Sequence, residues 1–421
     1  MTTTAHHRIL IVFLALFSVS LALSKSAANV VLTLTYLASL VLIARYREYR
    51  RYLLANINQP LIIPLLAYLA VTVIGIIYTE KLADGLGIAN KVAGVFLVYF
   101  MTSVVIDAVP NADERTKFTD KLILIFIAGI FVLDTIALMT YLGLIGDRKF
   151  TLPVYPLHVH HIWFANLNAV GVYAAVSFLL FGAAPRDARK RALLIVFIAL
   201  AVFSILLSIS RTAWLGMIVT GIVLTYLLSG KKRVFVLTLA MVVSGCLLAY
   251  YFIPLVHDRI NAGFSDISRY DTGETATSLG DRFVMWKAAA GMFLSNPLFG
   301  VGTGDYMSTI REYAAAGTVP ERILDFNQPH NMYLFSLATN GFLGLGALLF
   351  IFYRIFALTL PFKEVPPVQK QLFFLSTAVA VHYLVAGMTD SLFNIFIIRS
   401  SFAFVMGMCI RTGSVQPAGN G

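Results

Sequence analysis

The sequence predicts an all-α polytopic membrane protein, and three observations carry that prediction. Of 421 residues, 59% are hydrophobic and only 13% charged, with a mean hydropathy of +0.82; a soluble domain carries roughly twice that charge fraction. Apolar runs near the ~20 residues that cross a hydrocarbon core as helix recur along the whole chain. These runs do not alternate polar and apolar residues, as membrane-spanning strands do.

Twelve runs qualify: 9–23, 27–44, 60–78, 92–110, 122–145, 162–184, 192–208, 212–229, 234–253, 332–357, 372–389 and 391–410. The first follows His6, His7 and Arg8 and could pass for a signal peptide. No small-residue cleavage site follows it, and a second run begins just after Ser24-Lys25-Ser26, so a retained helical hairpin is expected. Basic residues orient the set. Arg45, Arg47, Arg50 and Arg51 fill one connection, Arg115, Lys117 and Lys121 another, Arg186, Arg189, Lys190 and Arg191 a third, and Lys231, Lys232 and Arg233 a fourth. All four fall on one side, which the positive-inside rule makes cytoplasmic, together with both termini. The net charge of +11 therefore reads as anchoring to an anionic leaflet, with no nucleic acid as partner. Cys246 and Cys409 both lie inside apolar runs and suggest neither a disulfide nor a metal site.

Residues 1–421 read as a single integral membrane domain without an internal repeat. One connection, 254–331, is long, polar and placed outside. It is expected to contain two short helices. Asp281–Ser295 carries Phe283, Trp286, Met292 and Phe293 along one stripe and stops at Asn296-Pro297; Asp305–Ala316 ends at Gly317. Ordered connections longer than ~15 residues are usually functional.

His330 sits where that connection re-enters an apolar run, behind Pro329 and before Asn331. In the first turn of the following helix the dipole would hold an imidazole neutral, as a general base requires; the plain alternative is an interfacial histidine bonded to a backbone carbonyl. Arg211, in "LSISRTAWLG", lies at the outer edge against the positive-inside bias. It is either a snorkelling arginine or a guanidinium awaiting a phosphate. Arg282, in "GDRFVMWKAAAG", opens the amphipathic stretch and is either a solvated helix-end charge or a second such cation.

"FGVGTGDY" (299–306) reads as a flexible turn sooner than as a phosphate-cradling nest, since no strand precedes it. His158, His160 and His161 lack accompanying carboxylates or cysteines for a metal, and His160 and His161 read as interfacial beside Trp163. Asn166 and Asn168 could bond a sugar or a neighbouring helix, and Asp390, facing outward between the last two runs, could contact an acceptor. Asp134, near the middle of its run, is the feature that would fit a secondary transporter. Transporters usually show repeat-related halves, which are not seen here.

In order and spacing, "SISRTAWLG", "DRFVMWKAA", "NPLFGVGTGDY" and "HNMYLFSLATNGFLGLG" resemble the O-antigen ligase and polymerase superfamily over roughly Ala192–Phe352. Members often have glutamate where this chain has Asn340. The resemblance implies a GT-C-like fold of the bacterial inner membrane. It also implies transfer of a glycan from undecaprenyl pyrophosphate to a sugar hydroxyl of lipid A–core on the periplasmic face, with no cofactor or metal. His330 would then be the base and Arg211 and Arg282 the cations at the leaving pyrophosphate, with Asn331, Asn166, Asn168, Asp390 and Trp286 as substrate contacts. A monomer is expected. Polymerases and protein O-oligosaccharyltransferases of the superfamily share the donor half of this chemistry.

Overall fold

The computed structural model describes residues 5–109, 111–146, 150–182, 187–229, 231–360 and 367–415. Arg186, Pro110 and residues 183–184, which the sequence reading used, lie outside them. All regular structure among the described residues is helical. In order come α1 (Ala5–Leu23), α2 (Lys25–Arg45), α3 (Arg47–Ala55), α4 (Ile62–Ile77), α5 (Leu82–Asp107) and α6 (Ala112–Tyr141). These are followed by α7 (His161–Phe181), α8 (Ala188–Leu207), α9 (Arg211–Ser229), α10 (Lys232–Phe252), α11 (Pro254–Asp271) and α12 (Ser278–Ser295). The chain ends with α13 (Tyr306–Ala315), α14 (Met332–Thr359), α15 (Pro367–Ala386), α16 (Phe396–Cys409) and α17 (Thr412–Val415).

Eight of these helices, α2, α5 to α10 and α14, are long and apolar enough to cross a membrane, and α1, α4 and α16 contribute shorter apolar stretches. Their polar residues turn inward. Ser18 donates to the carbonyl of Leu122 at 3.0 Å, tying α1 to α6, and Tyr99 donates to the carbonyl of Ile410 at 2.8 Å, tying α5 to the end of α16. Phe17, Phe126 and Phe404 close the space between α1, α6 and α16 in edge and tilted contacts 5.8 to 6.2 Å apart. Such polar ties matter in a bilayer, where burying apolar surface against lipid adds little and close packing must hold helices together.

The bundle has two chemically different ends. At one, Arg411 pairs with Asp107 at 2.6 Å and Arg115 approaches the same carboxylate at 4.0 Å, beside the basic helix α3. At the other end the chain from 254 to 331 is mostly helical. The sequence reading began its first helical piece at Asp281. Instead, α11 already covers Pro254–Asp271, and α12 begins at Ser278 with Thr277 as its cap, its hydroxyl accepting from Gly280 N at 3.0 Å. Asp281 is therefore not the cap; it pairs with Arg322 at 2.7 Å.

α14 is broken at Gly341, whose backbone (φ 61°, ψ −154°) is open essentially to glycine alone. The break frees polar backbone groups, and the glycine-rich turn at 299–305 takes them up. Val301 N donates to Ala338 O at 2.8 Å, Gly302 N to Thr339 O at 3.1 Å, and Phe342 N to Pro297 O at 2.8 Å. Asn340 bridges the two segments, donating to Thr303 Oγ1 at 2.8 Å and accepting from Thr339 Oγ1 at 3.0 Å. Thr303 in turn donates to the carbonyl of Thr72 in α4. The turn read from sequence as flexible is thus a docked strut, and Asn340 has a structural part in place of an acidic one. Non-helical backbone at membrane depth is tolerated where protein satisfies it in this way.

Candidate active site

His330 and Asp390 meet at the end of the bundle opposite the Asp107 cluster. His330 stands one residue before the cap of α14, with φ 50°, a left-handed conformation that histidine tolerates better than most side chains. It is not in the helix's first turn, as the sequence suggested. What disposes the imidazole is a carboxylate: Nδ1 lies 3.2 Å from Asp390 Oδ1. The Asp390 side chain is 3% exposed, that of His330 23%. Asp390 also accepts from Ser391 N at 2.8 Å and, at a long 3.5 Å, from Gln328 Nε2. Phe326 packs edge-on against the ring of His330 at 5.7 Å.

The surrounding polar residues hold this pair in place. Asn331 caps α14, its Oδ1 accepting from Tyr333 N and Leu334 N at 3.0 Å each, while its Nδ2 donates to Met388 O at 2.9 Å. Trp286 donates its indole N–H to Pro329 O at 2.9 Å. Thr212 and Thr389 share a 2.8 Å hydroxyl contact that fixes the start of α9 against the Asp390 turn. Asn331 and Trp286, expected as substrate contacts, have these polar groups engaged beside His330. Asn166 and Asn168, read as bonding a sugar or a neighbouring helix, are fully buried. Asn166 Oδ1 accepts from His382 Nε2 at 2.9 Å, and Asn168 donates to Phe164 O. Asp134 lies buried near Ser204 and Asn168, outside the site.

Three arginines stand beside the pair. Arg211 begins α9, with Nη2 3.9 Å from Asp266 Oδ2, and its Nη1 is buried with no hydrogen-bond partner. A buried unpaired donor costs about 1–3 kcal/mol, so this atom is poised for an acceptor. α11 admits the guanidinium through Gly263, where a Cβ would come within 2.6 Å of Nη1. Arg259, one turn before Gly263, donates to Ile209 O at 3.2 Å and clamps the tight turn ahead of Arg211. Arg282 in α12 is half-buried, makes no hydrogen bond or ion pair among the described residues, and lies within electrostatic reach of Asp390 and Arg259. Burial weakens its hold on its proton, and Asp390 opposes that.

The sequence reading missed Arg259. Its signal was the spacing of Arg259, Gly263 and Asp266, which places all three on one helical face. His160, the cap of α7, also lies near His330 and Asp390; burial lowers its pKa, and Asp390 opposes that. The arrangement is a carboxylate-oriented imidazole next to three cations with spare donors. It can take a proton from a hydroxyl while holding a concentrated anion.

Part of the chain is similar to known proteins. Residues 194–351 match the family model described as O-Antigen ligase, a stretch that contains Arg211, Arg259, Arg282 and His330. An uncharacterized protein of Haemophilus influenzae is 32% identical over 160 residues, which cover 37% of this chain and 40% of the relative. Residues 194–351 of this chain are thus similar to the O-antigen ligase family.

Proposed function

We propose that the chain is an O-antigen ligase. It would transfer a glycan from undecaprenyl pyrophosphate to a sugar hydroxyl of lipid A–core, at the periplasmic face of the inner membrane. The observation that carries this reading is the 3.2 Å contact of His330 Nδ1 with Asp390, set beside three arginines within a family segment. With Nδ1–H donated to Asp390, the lone pair of Nε2 is free to receive the acceptor's proton. The acceptor oxygen forms its bond to the anomeric carbon as the bond to the pyrophosphate oxygen breaks. The electron pair leaves on the lipid pyrophosphate, and the anomeric centre inverts. Arg211, Arg259 and Arg282 offset the charge that develops there, which makes the transfer metal-independent. The imidazolium then returns its proton to water.

On this reading all twelve apolar runs span the membrane as one domain, residues 254–331 lie in the periplasm, both termini are cytoplasmic, and the protein works as a monomer. A strain lacking the gene tests the reaction on a lipopolysaccharide gel. Loss of the high-molecular-weight ladder, with lipid-linked glycan accumulating, is expected. Short lipid-linked glycans attached normally to lipid A–core would instead identify a polymerase.

A further inference from the structure

A second cationic site lies on other elements at the same end of the bundle. Lys91 in α5 and Arg399 in α16 are both half-buried and close enough to repel one another. Arg399 donates one N–H to Asn394 O at 3.3 Å and lies 5.3 Å over the ring of Phe396. Its Nε stands 3.7 Å from where a Cβ of Gly94 would be, so α5 leaves it room. Lys91 makes no ion pair or hydrogen bond among the described residues, and neither cation has a carboxylate partner in hydrogen-bond contact. Beside Arg399, in α2, the hydroxyl of Tyr36 is buried and has no partner either.

Two cations and an orphaned hydroxyl at one place lack an anion with several acceptor oxygens. α2 leans on α1 and α3 and presents Val30, Leu34 and Leu37 outward, so lipid borders this place directly. We propose that Lys91, Arg399 and Tyr36 hold the phosphate group of an anionic lipid. A polar chain joins this site to the base. Asn394, whose carbonyl Arg399 holds, donates through Nδ2 to Gln328 Oε1 at 3.4 Å, and Gln328 reaches Asp390 at 3.5 Å. Asp390 is thereby linked through Gln328 and Asn394 to Arg399. On the ligase reading, on which this assignment rests, the occupant is the acceptor lipid, so that each lipid substrate has its own phosphate site.

The experiment is a binding titration of the purified full-length protein in neutral micelles, followed by native mass spectrometry. The probes are phosphatidic acid, diacylglycerol with the same chains, and inorganic phosphate. Phosphatidic acid is expected to bind, and Lys91→Gln to weaken it roughly tenfold through the loss of one charge-assisted contact. Lys91→Gln with Arg399→Gln should weaken it further. Arg211→Ala should leave the Lys91-dependent part of the binding intact, which separates this site from the three arginines. Because Lys91 makes no contact the fold needs, the single variant carries the test if the double variant is unstable. Equal affinity of wild type and Lys91→Gln, or diacylglycerol binding as tightly as phosphatidic acid, overturns the proposal. Inorganic phosphate binding as tightly as the lipid would make this a free-anion site and overturn the lipid assignment. No outcome depends on glycosyl transfer.

Discussion

Asp390 holds the Nδ1 edge of His330 at 3.2 Å, and 60 residues of chain separate the two. The carboxylate is buried and the imidazole is partly exposed, and Nε2 is the ring nitrogen that Asp390 does not hold. A histidine that loses its carboxylate keeps its ring but loses the preference for that tautomer.

Asp390→Asn tests this dependence. The amide can donate to Nδ1 and so stabilise the tautomer that carries its proton on Nε2, the wrong one for a base. Transfer is expected to fall by roughly 10²–10⁴-fold, the range of a missing acid–base group, while donor binding is kept. Single-turnover rates at saturating donor measure it, and an unchanged rate would make Asp390 structural only.

The arginines divide by geometry. Arg211→Lys keeps the charge but cannot reproduce a two-pronged grip on pyrophosphate, so a loss of roughly tenfold or more is expected. Arg282→Ala and Arg259→Ala each remove charge where the leaving group develops it, and losses of roughly 10²–10³-fold in kcat are expected. Steady-state rates with chelator present check all three. Normal rates in all of them would remove the pyrophosphate from this cluster.

Gly341→Ala should destabilise the protein without touching the chemistry. Its backbone conformation costs a residue with a Cβ about 1–3 kcal/mol. The added carbon would also come within 2.4 Å of the backbone of Leu298. A lower unfolding temperature in detergent is expected; a melting curve that overlays wild type would show that the break in α14 can relax.

Orientation has its own check. Cysteines placed at Asp271 and Glu274 should react with an impermeant thiol reagent in intact cells, and cysteines at Arg189 and Lys231 should not. The reverse pattern would turn the site toward the cytoplasm.

Much of this architecture was legible in the sequence because hydropathy depends on local composition alone. Each of the twelve apolar runs overlaps a helix among the described residues, although only eight of these helices are long and apolar enough to cross a membrane. α11 was not legible as a helix. Its polar face turns toward Arg211, so a site-lining helix reads like a solvated connection. His330, Arg211 and Arg282 stood out as polar groups where an apolar chain has no need of them. Asp390 stood out as an acceptor contact, but its place beside His330 comes from a contact across α14 and α15; Arg259, which the sequence reading did not single out, owes its place to the packing of α11 on the turn before α9. Asparagine just ahead of an apolar run is also a helix-capping signal, and Asn331 caps α14.

The central claim is that Nε2 of His330 removes the acceptor's proton, and His330→Gln tests it most directly. Glutamine keeps a hydrogen-bonding side chain but has no basicity. With purified protein, lipid-linked donor and acceptor, the variant is expected to bind donor as wild type does. It should transfer roughly 10²–10⁴-fold more slowly. Near wild-type turnover in His330→Gln would contradict a proton-accepting His330.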